Sequence, residues 1–386
     1  MRVGIFTNNY LPVRGGVTTA VEILRQGCEA LGHSAYVFAP RFPGHTDSSS
    51  RVFRYPSVPA LTYPGFYLPI PFSFHIERGA RSLGIDVFHA QHPFLLGRVA
   101  RRLAKQAGRP LVFTYHTRYD KYAHYVPLNR SLVERKAVRW SVDFASTADL
   151  VIAPSCKIME FLVEEGVRAP IEVVPTGVEE ETFTPGDPRV ARAALGFPIG
   201  EPILLYVGRL DREKSVELVL DAFVHVQEAL PKARLLLVGQ GSERRRLEAH
   251  ARHLPAADRI FFQGPLPREG LPVFYRAADL FVFASQTETQ GLAVAEAMAC
   301  GVPVVAVRAP GVDETVRDGQ TGILTKPISR DLADAAIRLL LDPDTRRAFG
   351  IQARRRVVEE FTASRQVRRL LALYADLLAD RRSTCP

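Results

Sequence analysis

Short apolar runs alternate with amphipathic stretches along the first half of the chain. The strand-like runs are VGIFTN, SAYVFAP, DVFHAQ, PLVFTYHT, LVIAPS and IEVVPTGV, and the helical stretches cover residues 18–31, 94–107, 129–147 and 156–165. Apolar strands separated by helices are typical of a parallel sheet that is covered on both faces. The pattern therefore predicts a doubly wound domain. A Pro-rich, aromatic stretch over residues 56–74 fits no regular element.

The second half of the chain repeats this pattern with the buried strands PILLYVGR, ARLLLVGQG, RIFFQGP, DLFVFAS and PVVAVR. We predict an α/β protein of two doubly wound, Rossmann-like domains. The expected boundaries are an N-terminal domain over 1–178, a charged and Pro-rich linker over 179–200, and a C-terminal domain over 201–359. Open parallel sheets bind ligands beyond the carboxyl ends of their strands, so the cleft between the domains is the expected site.

Composition narrows the class of protein. Of 386 residues, 47% are hydrophobic and 24% are charged, which is the balance of a soluble globular protein. Four cysteines without paired spacing disfavour a zinc cluster or a disulfide framework. The chain enters a strand-like run directly and contains no long apolar span. We therefore expect a cytoplasmic protein without a signal peptide.

The net charge of +9 arises in the first half of the chain. Residues 1–170 hold 21 Lys and Arg against 12 Asp and Glu, whereas residues 171–386 hold 29 of each. A basic N-terminal domain favours an anionic partner, either nucleic acid or an anionic membrane surface. A solvated basic face without a partner is the alternative.

Two glycine-rich turns follow predicted strands. In NNYLPVRGGV, Gly15 and Gly16 let backbone N–H groups approach a ligand at the start of the first helix, where the helix dipole favours a phosphate. No GxGxxG pattern occurs there, which disfavours an ordinary dinucleotide site. In VGQGSER, Gly239 marks a second turn, for which a plain tight turn and a ligand contact are equally good interpretations.

Two cations lie near the carboxyl end of the first strand of the second domain. Arg209 follows that strand in YVGRLDREK, and Lys214 precedes the next helix. Two cations at this edge of a sheet suit a diphosphate. Solvated surface charges are the commoner meaning of such a pair.

The segment TETQGLAVAEAMACGVPVVAV contains a lone carboxylate in an apolar run. Glu296 lies about two turns into the helix predicted to begin near Gly291, and Glu288 precedes it by eight residues. Eight helical residues span about 12 Å, which is roughly the reach from a sugar to the ribose of a nucleotide diphosphate sugar. A diphosphate at the helix N-terminus would then lie between the two carboxylates. A buried ion pair with an arginine is the alternative for Glu296.

The segment FTYHTRYDKYAHYVP places His116 at the carboxyl end of a strand and follows it with interleaved aromatic side chains. His92, in FHAQHPF, ends the preceding strand in the same way. A histidine at such a position suits acid–base chemistry or hydrogen bonding to a substrate, although many such residues are structural.

Taken together, these motifs resemble the retaining GT-B glycosyltransferases of family 4. The resemblance rests on the order GGV, HT, PTGV, VGRLDREK and Glu-x7-Glu, followed by ACGVPVVA and GVDE, and it covers residues 2–380. It implies the GT-B fold and transfer of a hexose from a nucleotide diphosphate sugar by front-face attack, with the anomeric configuration kept. It also implies that a C-terminal helix over 360–381 packs back on the first domain. We expect no obligatory metal and no cofactor.

The resemblance assigns roles to individual residues. The implied catalytic set is His116, Arg209, Lys214 and Glu288. The implied donor-binding set is Gly15, Gly16, Gly239, Gln290, Gly291, Leu292 and Glu296. In these sets Glu288 contacts the sugar and Glu296 the ribose, while Arg209 and Lys214 clamp the diphosphate. The aromatic residue that is common after the first glutamate of the family is replaced here by Thr289-Gln290, which leaves the hexose open.

Within the family, the run after His116 resembles the acceptor segment of diacylglycerol glucosyltransferases. The implied acceptor-binding residues are Tyr119, Tyr122, His124 and Tyr125. The implied reaction moves glucose from UDP-glucose to diacylglycerol or a glycosyl-diacylglycerol. The basic N-terminal domain, the aromatic stretch over 56–74 and helix 129–139 fit peripheral attachment to the anionic inner face of the cell membrane. Core packing is the alternative for the apolar positions of that helix.

Three other interpretations stay open. A GDP-mannose-dependent mannosyltransferase acting on a phosphatidylinositol-type or soluble sugar acceptor would share this fold. A nucleotide-sugar epimerase would convert a UDP-sugar without an acceptor. A nucleic-acid binder would show steep salt dependence. It would have no use for a sugar site, so we expect no nucleic-acid partner.

Overall fold

The structure is a computed structural model that describes residues 1–60, 65–119 and 130–383. The chain divides into two compact units. The first unit comprises Met1–Gly177 and the segment from Ala363 onward, and the second comprises Val178–Thr362.

The first unit is built on a parallel sheet. Before the chain leaves this unit, its elements are β1 (Arg2–Phe6), α1 (Gly16–Ala30), β2 (Ser34–Pro40), β3 (Val52–Tyr55), β4 (Ser57–Pro59), β5 (Tyr67–Pro69), α2 (Phe74–Ser82), β6 (Val87–Ala90), α3 (Leu96–Ala107), β7 (Leu111–Thr114), α4 (Arg130–Ala145), β8 (Leu150–Ala153), α5 (Cys156–Glu164) and β9 (Ile171–Val173). Among the described residues, seven strands form the sheet in the order β3-β2-β1-β6-β7-β8-β9, and β4 pairs with β5 antiparallel beside it.

Alternate residues of the central strands enter two separate cores, as the two-residue period of a strand requires. Ile5 packs on one face of the sheet, whereas Phe6 packs on the other and stacks on Phe38 with 4.3 Å between ring centroids. The sheet is therefore buried on both sides. This explains why most residues of its central strands are apolar rather than alternating with polar ones.

The last helix of the chain covers the face that carries Ile5. This helix, α14 (Ala363–Ser383), packs on α1. The two helices approach so closely that a Cβ on Gly27 would lie 2.7 Å from the side chain of Val367. The hydroxyl of Tyr374 also lies 2.7 Å from Nδ1 of the buried His89 in β6. A glycine and a polar contact thus fix the end of the chain to the first unit.

The second unit repeats the same winding. Its elements are α6 (Pro188–Leu195), β10 (Ile203–Val207), α7 (Val216–Ala229), β11 (Arg234–Val238), α8 (Arg244–Arg252), β12 (Ile260–Gln263), α9 (Leu271–Ala277), β13 (Leu280–Phe283), α10 (Leu292–Ala299), β14 (Val304–Val307), α11 (Val312–Thr315), β15 (Gly322–Thr325), α12 (Ser329–Leu341) and α13 (Pro343–Glu360). Within this described unit, six parallel strands lie in the order β12-β11-β10-β13-β14-β15. The predicted fold class, two doubly wound parallel sheets, is confirmed.

Two segments differ from the prediction. Residues 56–74 contain the short strands β4 and β5, which form a separate two-stranded sheet among the described residues and therefore tolerate prolines at its edges. Residues 179–200, predicted as a linker, belong to the second unit. They contain α6, which begins with the Asp187 carboxylate accepting from the backbone N–H of Arg189 at 2.8 Å. The guanidinium of Arg192 then binds the Asp279 carboxylate at 2.6 Å, which anchors the segment.

Among the described residues, no helix is both long and apolar enough to cross a membrane.

Candidate active site

Both sheets reverse their strand order beside their first strand. In the first unit β1 lies between β2 and β6, and in the second β10 lies between β11 and β13. Loops that leave neighbouring strands at such a point diverge to opposite faces and open a crevice, where doubly wound proteins bind ligands. Most of the predicted site residues follow β1, β7, β10, β11 or β13.

An ionic cluster of Arg209, Asp211, Glu213, Lys214 and Glu288 lies at this point of the second unit. The Lys214 ammonium donates to the Glu288 carboxylate at 2.6 Å, and these side chains are only 13% and 15% exposed. The Arg209 guanidinium donates to Glu213 at 2.6 Å and also pairs with the buried Asp211. Neither cation is a solvated surface charge, so the two are held in fixed positions by carboxylates.

The surroundings of Glu288 keep it ionised. Burial alone raises the pKa of this carboxyl, but the charge and hydrogen bond of Lys214 outweigh that effect and lower the pKa below its usual value. An ionised carboxylate is purely an acceptor of hydrogen bonds. Burial, together with the charge of Glu288, raises the pKa of Tyr206, whose phenol donates to the Arg209 carbonyl at 2.9 Å. Glu288 therefore suits a partner that donates, such as a sugar hydroxyl.

Gly291 caps the N-terminus of helix α10, and its φ of 87° is in the left-handed region that favours glycine. Helix α11 supports the loop in front of it. A Cβ on Gly311 would lie 2.5 Å from the Gln290 nitrogen, and the Thr315 hydroxyl donates to the Gln290 carbonyl at 2.9 Å. The first N–H groups of an α-helix have no intrahelical partners. Residues from Gln290 to Leu292 thus present the kind of backbone donors that bind phosphate.

Glu296 is buried in α10, with both carboxylate oxygens contacted by the protein. The Arg268 guanidinium donates to Oε1 at 2.5 Å, and the Tyr275 hydroxyl donates to Oε2 at 2.9 Å. Arg268 also binds Glu179, at 2.9 Å from its Nε to each carboxylate oxygen. A ribose contact and an ion pair with an arginine were the two predicted roles of Glu296, and the ion pair is present.

Gly239 has a structural reason to be glycine. Its φ is 144°, and a Cβ at this position would lie 2.0 Å from the carbonyl oxygen of Gly208. The turns that follow β10 and β11 therefore touch through their backbones. Any side chain at Gly239 would push apart the loop that carries Arg209.

His116 lies in the first unit, two residues beyond β7, with its Nε2 at 2.6 Å from Oε1 of Gln91. An amide oxygen only accepts, so this arrangement assigns the ring proton to Nε2. Burial, with smaller contributions from His92 and His89, lowers the pKa of His116 to about 3. The ring is therefore neutral at neutral pH. It suits hydrogen bonding to a substrate rather than proton donation as an imidazolium.

Asn8 joins the loop after β1 to the loop after β6. Its backbone N–H donates to Nδ1 of His92 at 3.1 Å, and burial lowers the pKa of that histidine to about 4. The Asn8 side chain donates to the Phe94 carbonyl at 3.0 Å and accepts from the Leu96 N–H at 3.1 Å. The two loops at the switch point of the first unit are thus fixed to each other.

The remaining predicted residues fall into two groups. Gly15 and Gly16 open α1. Apart from their chain neighbours and the helix's own backbone, the described residues place no atom within 4 Å of a Cβ built at either position, which leaves room for a close approach to the backbone. The Tyr119 ring packs edge-on against Phe94 and Tyr115, with centroids 5.4 and 5.6 Å away. Three predicted acceptor residues lie outside the described residues: Tyr122, His124 and Tyr125.

Sequence reasoning missed two side chains of these sites. Gln91 occurs in FHAQHPF, and a polar residue at the end of an apolar strand was a usable signal. Arg268 comes 28 residues before Glu296, in a short 3-10 helix directly before α9 whose sequence gives no sign of the contact. Its partnership with Glu296 follows only from the packing of α9 and α10.

Two family profiles match the chain. Glycosyltransferase Family 4 matches residues 14–182, and Glycosyl transferases group 1 matches residues 188–356. An alpha-monoglucosyldiacylglycerol synthase of Streptococcus pneumoniae is 31% identical over 354 residues, which cover 88% of this chain and 78% of the relative. A GDP-mannose-dependent alpha-mannosyltransferase of Mycobacterium tuberculosis is 30% identical over 366 residues, which cover 93% and 92%.

A solved structure gives the same answer for the fold. The sucrose-phosphate synthase from Thermosynechococcus elongatus superposes with a TM-score of 0.82 at 28% identity, covering 98% of this chain and 99% of that protein. The family resemblance drawn from the motifs is therefore confirmed. This chain belongs to the GT-B glycosyltransferases of family 4, and it is a hexosyltransferase that uses a nucleotide sugar.

Proposed function

We propose that the enzyme transfers glucose from UDP-glucose to diacylglycerol or a glycosyl-diacylglycerol, and that it retains the anomeric configuration. The proposed binding of the UDP-glucose donor rests on the ionic cluster beside the start of α10. The acceptor half is supported by the Streptococcus pneumoniae relative, which is named as an alpha-monoglucosyldiacylglycerol synthase. It is supported as well by the surface of the first unit.

The donor diphosphate binds between fixed cations and the start of a helix. Arg209 and Lys214 are already oriented by Glu213 and Glu288, at 2.6 Å each. The N–H groups near Gly291 add uncharged donors. Because these groups are in position before the substrate arrives, little reorganisation is needed when charge develops on the leaving diphosphate.

Retention follows from attack on the face that the leaving group departs from. The bond from the anomeric carbon to the diphosphate oxygen breaks, and the acceptor oxygen bonds to that carbon on the same side. The acceptor proton passes to the leaving diphosphate. Arg209 and Lys214 stabilise the diphosphate charge. Ionised Glu288 accepts from a sugar hydroxyl, and neutral His116 hydrogen-bonds the sugar.

The acceptor reaches the enzyme from a membrane surface that the first unit touches. Phe72 and Phe74 are 65% and 59% exposed, and further apolar side chains beside them are exposed at Val58, Leu68 and Ile70. Helices α2 and α3 add exposed cations at Arg78, Arg81, Arg98, Arg101 and Lys105. Apolar side chains next to cations suit peripheral binding to anionic lipid. The enzyme then acts at the inner face of the cell membrane.

A donor and acceptor panel tests this proposal. UDP-glucose, UDP-galactose, GDP-mannose and ADP-glucose are each incubated with the full chain in diacylglycerol mixed micelles, with a soluble sugar acceptor, or with no acceptor. We expect one α-linked glucolipid, formed only from UDP-glucose with lipid and identified by the NMR coupling of its anomeric proton. The Arg209→Ala, Lys214→Ala double variant is expected to lose turnover.

The other outcomes identify the rival functions. A product from GDP-mannose would replace the glucosyl proposal with the mannosyltransferase alternative, which the Mycobacterium tuberculosis relative favours. Conversion of UDP-glucose without any acceptor would indicate an epimerase. A β-linked product would contradict retention.

A further inference from the structure

Arg268 forms a bridge between two carboxylates in the second unit. One of its nitrogens donates to Glu296 at 2.5 Å, while Nε and the other terminal nitrogen bind Glu179. The guanidinium carbon also lies 4.7 Å from the centre of the Phe183 ring. Arg268 is therefore held by charge on two sides and by an aromatic ring.

The charge balance of this bridge keeps Glu296 available as an acceptor. Burial alone would lower the pKa of Arg268, but the carboxylates of Glu296 and Glu179 raise it above its usual value, so the guanidinium stays charged. One cation then faces two carboxylates. Glu179 is the more exposed of the two, with 28% of its side chain accessible against 4% for Glu296. The buried carboxylate thus has a fixed cationic partner without depending on solvent.

The geometry of the bridge also fixes the direction of the Glu296 carboxylate. Arg268 occupies one lone pair of Oε1, and the Tyr275 hydroxyl occupies one lone pair of Oε2. Each carboxylate oxygen has two lone pairs, so one remains on each oxygen. Two adjacent acceptors match the two neighbouring hydroxyls of a ribose. With both oxygens anchored, the carboxylate does not rotate to find them.

We propose that Arg268 is a positioning residue for ribose recognition: it orients Glu296 so that the remaining lone pairs meet the ribose hydroxyls of the donor. This inference rests on the proposed nucleotide-sugar site, in which Glu296 contacts the ribose. Arg268 acts through Glu296 and does not touch the nucleotide. The role predicts a selective loss, because a misdirected carboxylate impairs binding of the ribose hydroxyls more than binding of the diphosphate.

The experiment compares ribose with deoxyribose. Isothermal titration calorimetry of the full chain measures Kd for UDP and 2′-deoxy-UDP, and for GDP and 2′-deoxy-GDP. The base that the wild type binds more tightly defines the pair that is used. We expect the ribonucleotide to bind at least about tenfold more tightly, since one hydrogen bond to a charged group has that effect or a larger one. In Arg268→Leu we expect this ratio to fall below about threefold.

Two matched variants separate positioning from general stabilisation. Arg276→Leu removes a second arginine that binds the 182–184 segment, through a hydrogen bond to the Thr184 carbonyl at 2.8 Å. Unlike Arg268, Arg276 forms no hydrogen bond or ion pair with Glu296 among the described residues. Glu179→Gln removes the second carboxylate while leaving Arg268 on Glu296. Both variants are expected to keep the wild-type ribose-to-deoxyribose ratio, even where the melting temperature falls. Arg268→Lys, which keeps the charge but not the fork of donors, should recover only part of the ratio.

The possible results separate the positioning role of Arg268 from the ribose contact of Glu296 on which it rests. If the wild type binds ribose and deoxyribose nucleotides equally, or binds none of the four, the ribose role of Glu296 is wrong and the inference falls with it. If the wild type discriminates and Arg268→Leu discriminates equally well, the positioning role alone is overturned. If Arg276→Leu loses the ratio as well, the effect of Arg268 is a general loosening of the unit, which also overturns the proposal.

Discussion

The Lys214–Glu288 ion pair should couple the stability of the second unit to the integrity of the donor site. The test is a double-mutant cycle of Lys214→Met, Glu288→Gln and the combined variant. Two unit charges about 4 Å apart interact by about 4 kcal/mol at an effective dielectric constant of about 20. Both side chains are less than one-sixth exposed, at 13% and 15%, so solvent screens this interaction only in part. We expect a coupling energy of about 2 kcal/mol.

The losses of unfolding free energy in the two single variants should not add up to the loss in the combined variant. Lys214→Met leaves the Glu288 carboxylate without the largest of the effects that lower its pKa, so burial is then opposed only by the hydrogen bond of Ser285 and the charge of Arg209. We expect this variant to lose about 3 kcal/mol of unfolding free energy at pH 7. In the combined variant both charges are gone, so its loss should be smaller than the sum of the two single losses by the coupling energy of about 2 kcal/mol. The same Lys214→Met variant should bind nucleotide diphosphate at least about tenfold more weakly.

Urea unfolding followed by far-UV circular dichroism measures the cycle, and calorimetry checks whether the two units unfold together. The control is the Arg330–Asp334 pair of α12, at 3.0 Å in the same unit but with both side chains more than half exposed. Its coupling should be about 0.5 kcal/mol or less. A Lys214–Glu288 coupling no larger than that of the control would refute the reasoning, because it would mean that solvent screens the pair as fully as a surface pair.

Three further predictions concern other parts of the molecule. Gly311→Ala should reduce both stability and kcat/KM, because its Cβ would lie 2.5 Å from the backbone of the loop before α10; Gly319→Ala, which has a similar positive φ but open space, should keep kcat/KM. His89, only 1% exposed, has a pKa lowered by burial to about 3. Its contribution to stability is full above the unfolded pKa of about 6.5 and falls as the pH decreases toward about 3, because only the unfolded chain then binds the proton. Urea unfolding read by the lone tryptophan should show up to about 1.4 kcal/mol per pH unit from this group. His89→Gln should reduce the wild-type slope by that amount and leave the rest, since His92 and His116, whose pKa values burial also lowers, contribute slopes of the same sign. Phe72→Ser with Phe74→Ser should weaken sedimentation with anionic vesicles about tenfold or more without changing Kd for UDP, and unchanged vesicle binding would contradict the membrane surface.

The architecture was open to prediction from the sequence because its signals are local. A run such as LLYV is apolar throughout since both faces of its sheet are covered, and Arg209 directly after it had to lie at a carboxyl edge. The sequence also predicted that Glu288 and Glu296 lie on either side of a helix N-terminus, because the start of a helix is recognisable between them. The short strands β4 and β5 and helix α6 were missed, because prolines and charges there carry the opposite local signal.

Side-chain partners were not open to prediction in this way. Lys214 meets Glu288 across 74 residues, and Tyr374 meets His89 across 285. Arg268 and Glu296 are separated by only 28 residues, yet their contact depends on how α9 and α10 pack. No periodicity in the chain encodes such pairs, because each is set by which loops the strand order brings together.

The sequence by itself determined two doubly wound sheets, the glycosyltransferase family and the positions at which charge meets a sheet edge. Only the tertiary structure decided how those charges are held. It placed Lys214 on Glu288, Gln91 on His116, and Arg268 on Glu296. The physical reason is that burying a charge requires a partner within hydrogen-bonding distance, and chain folding rather than sequence spacing selects that partner.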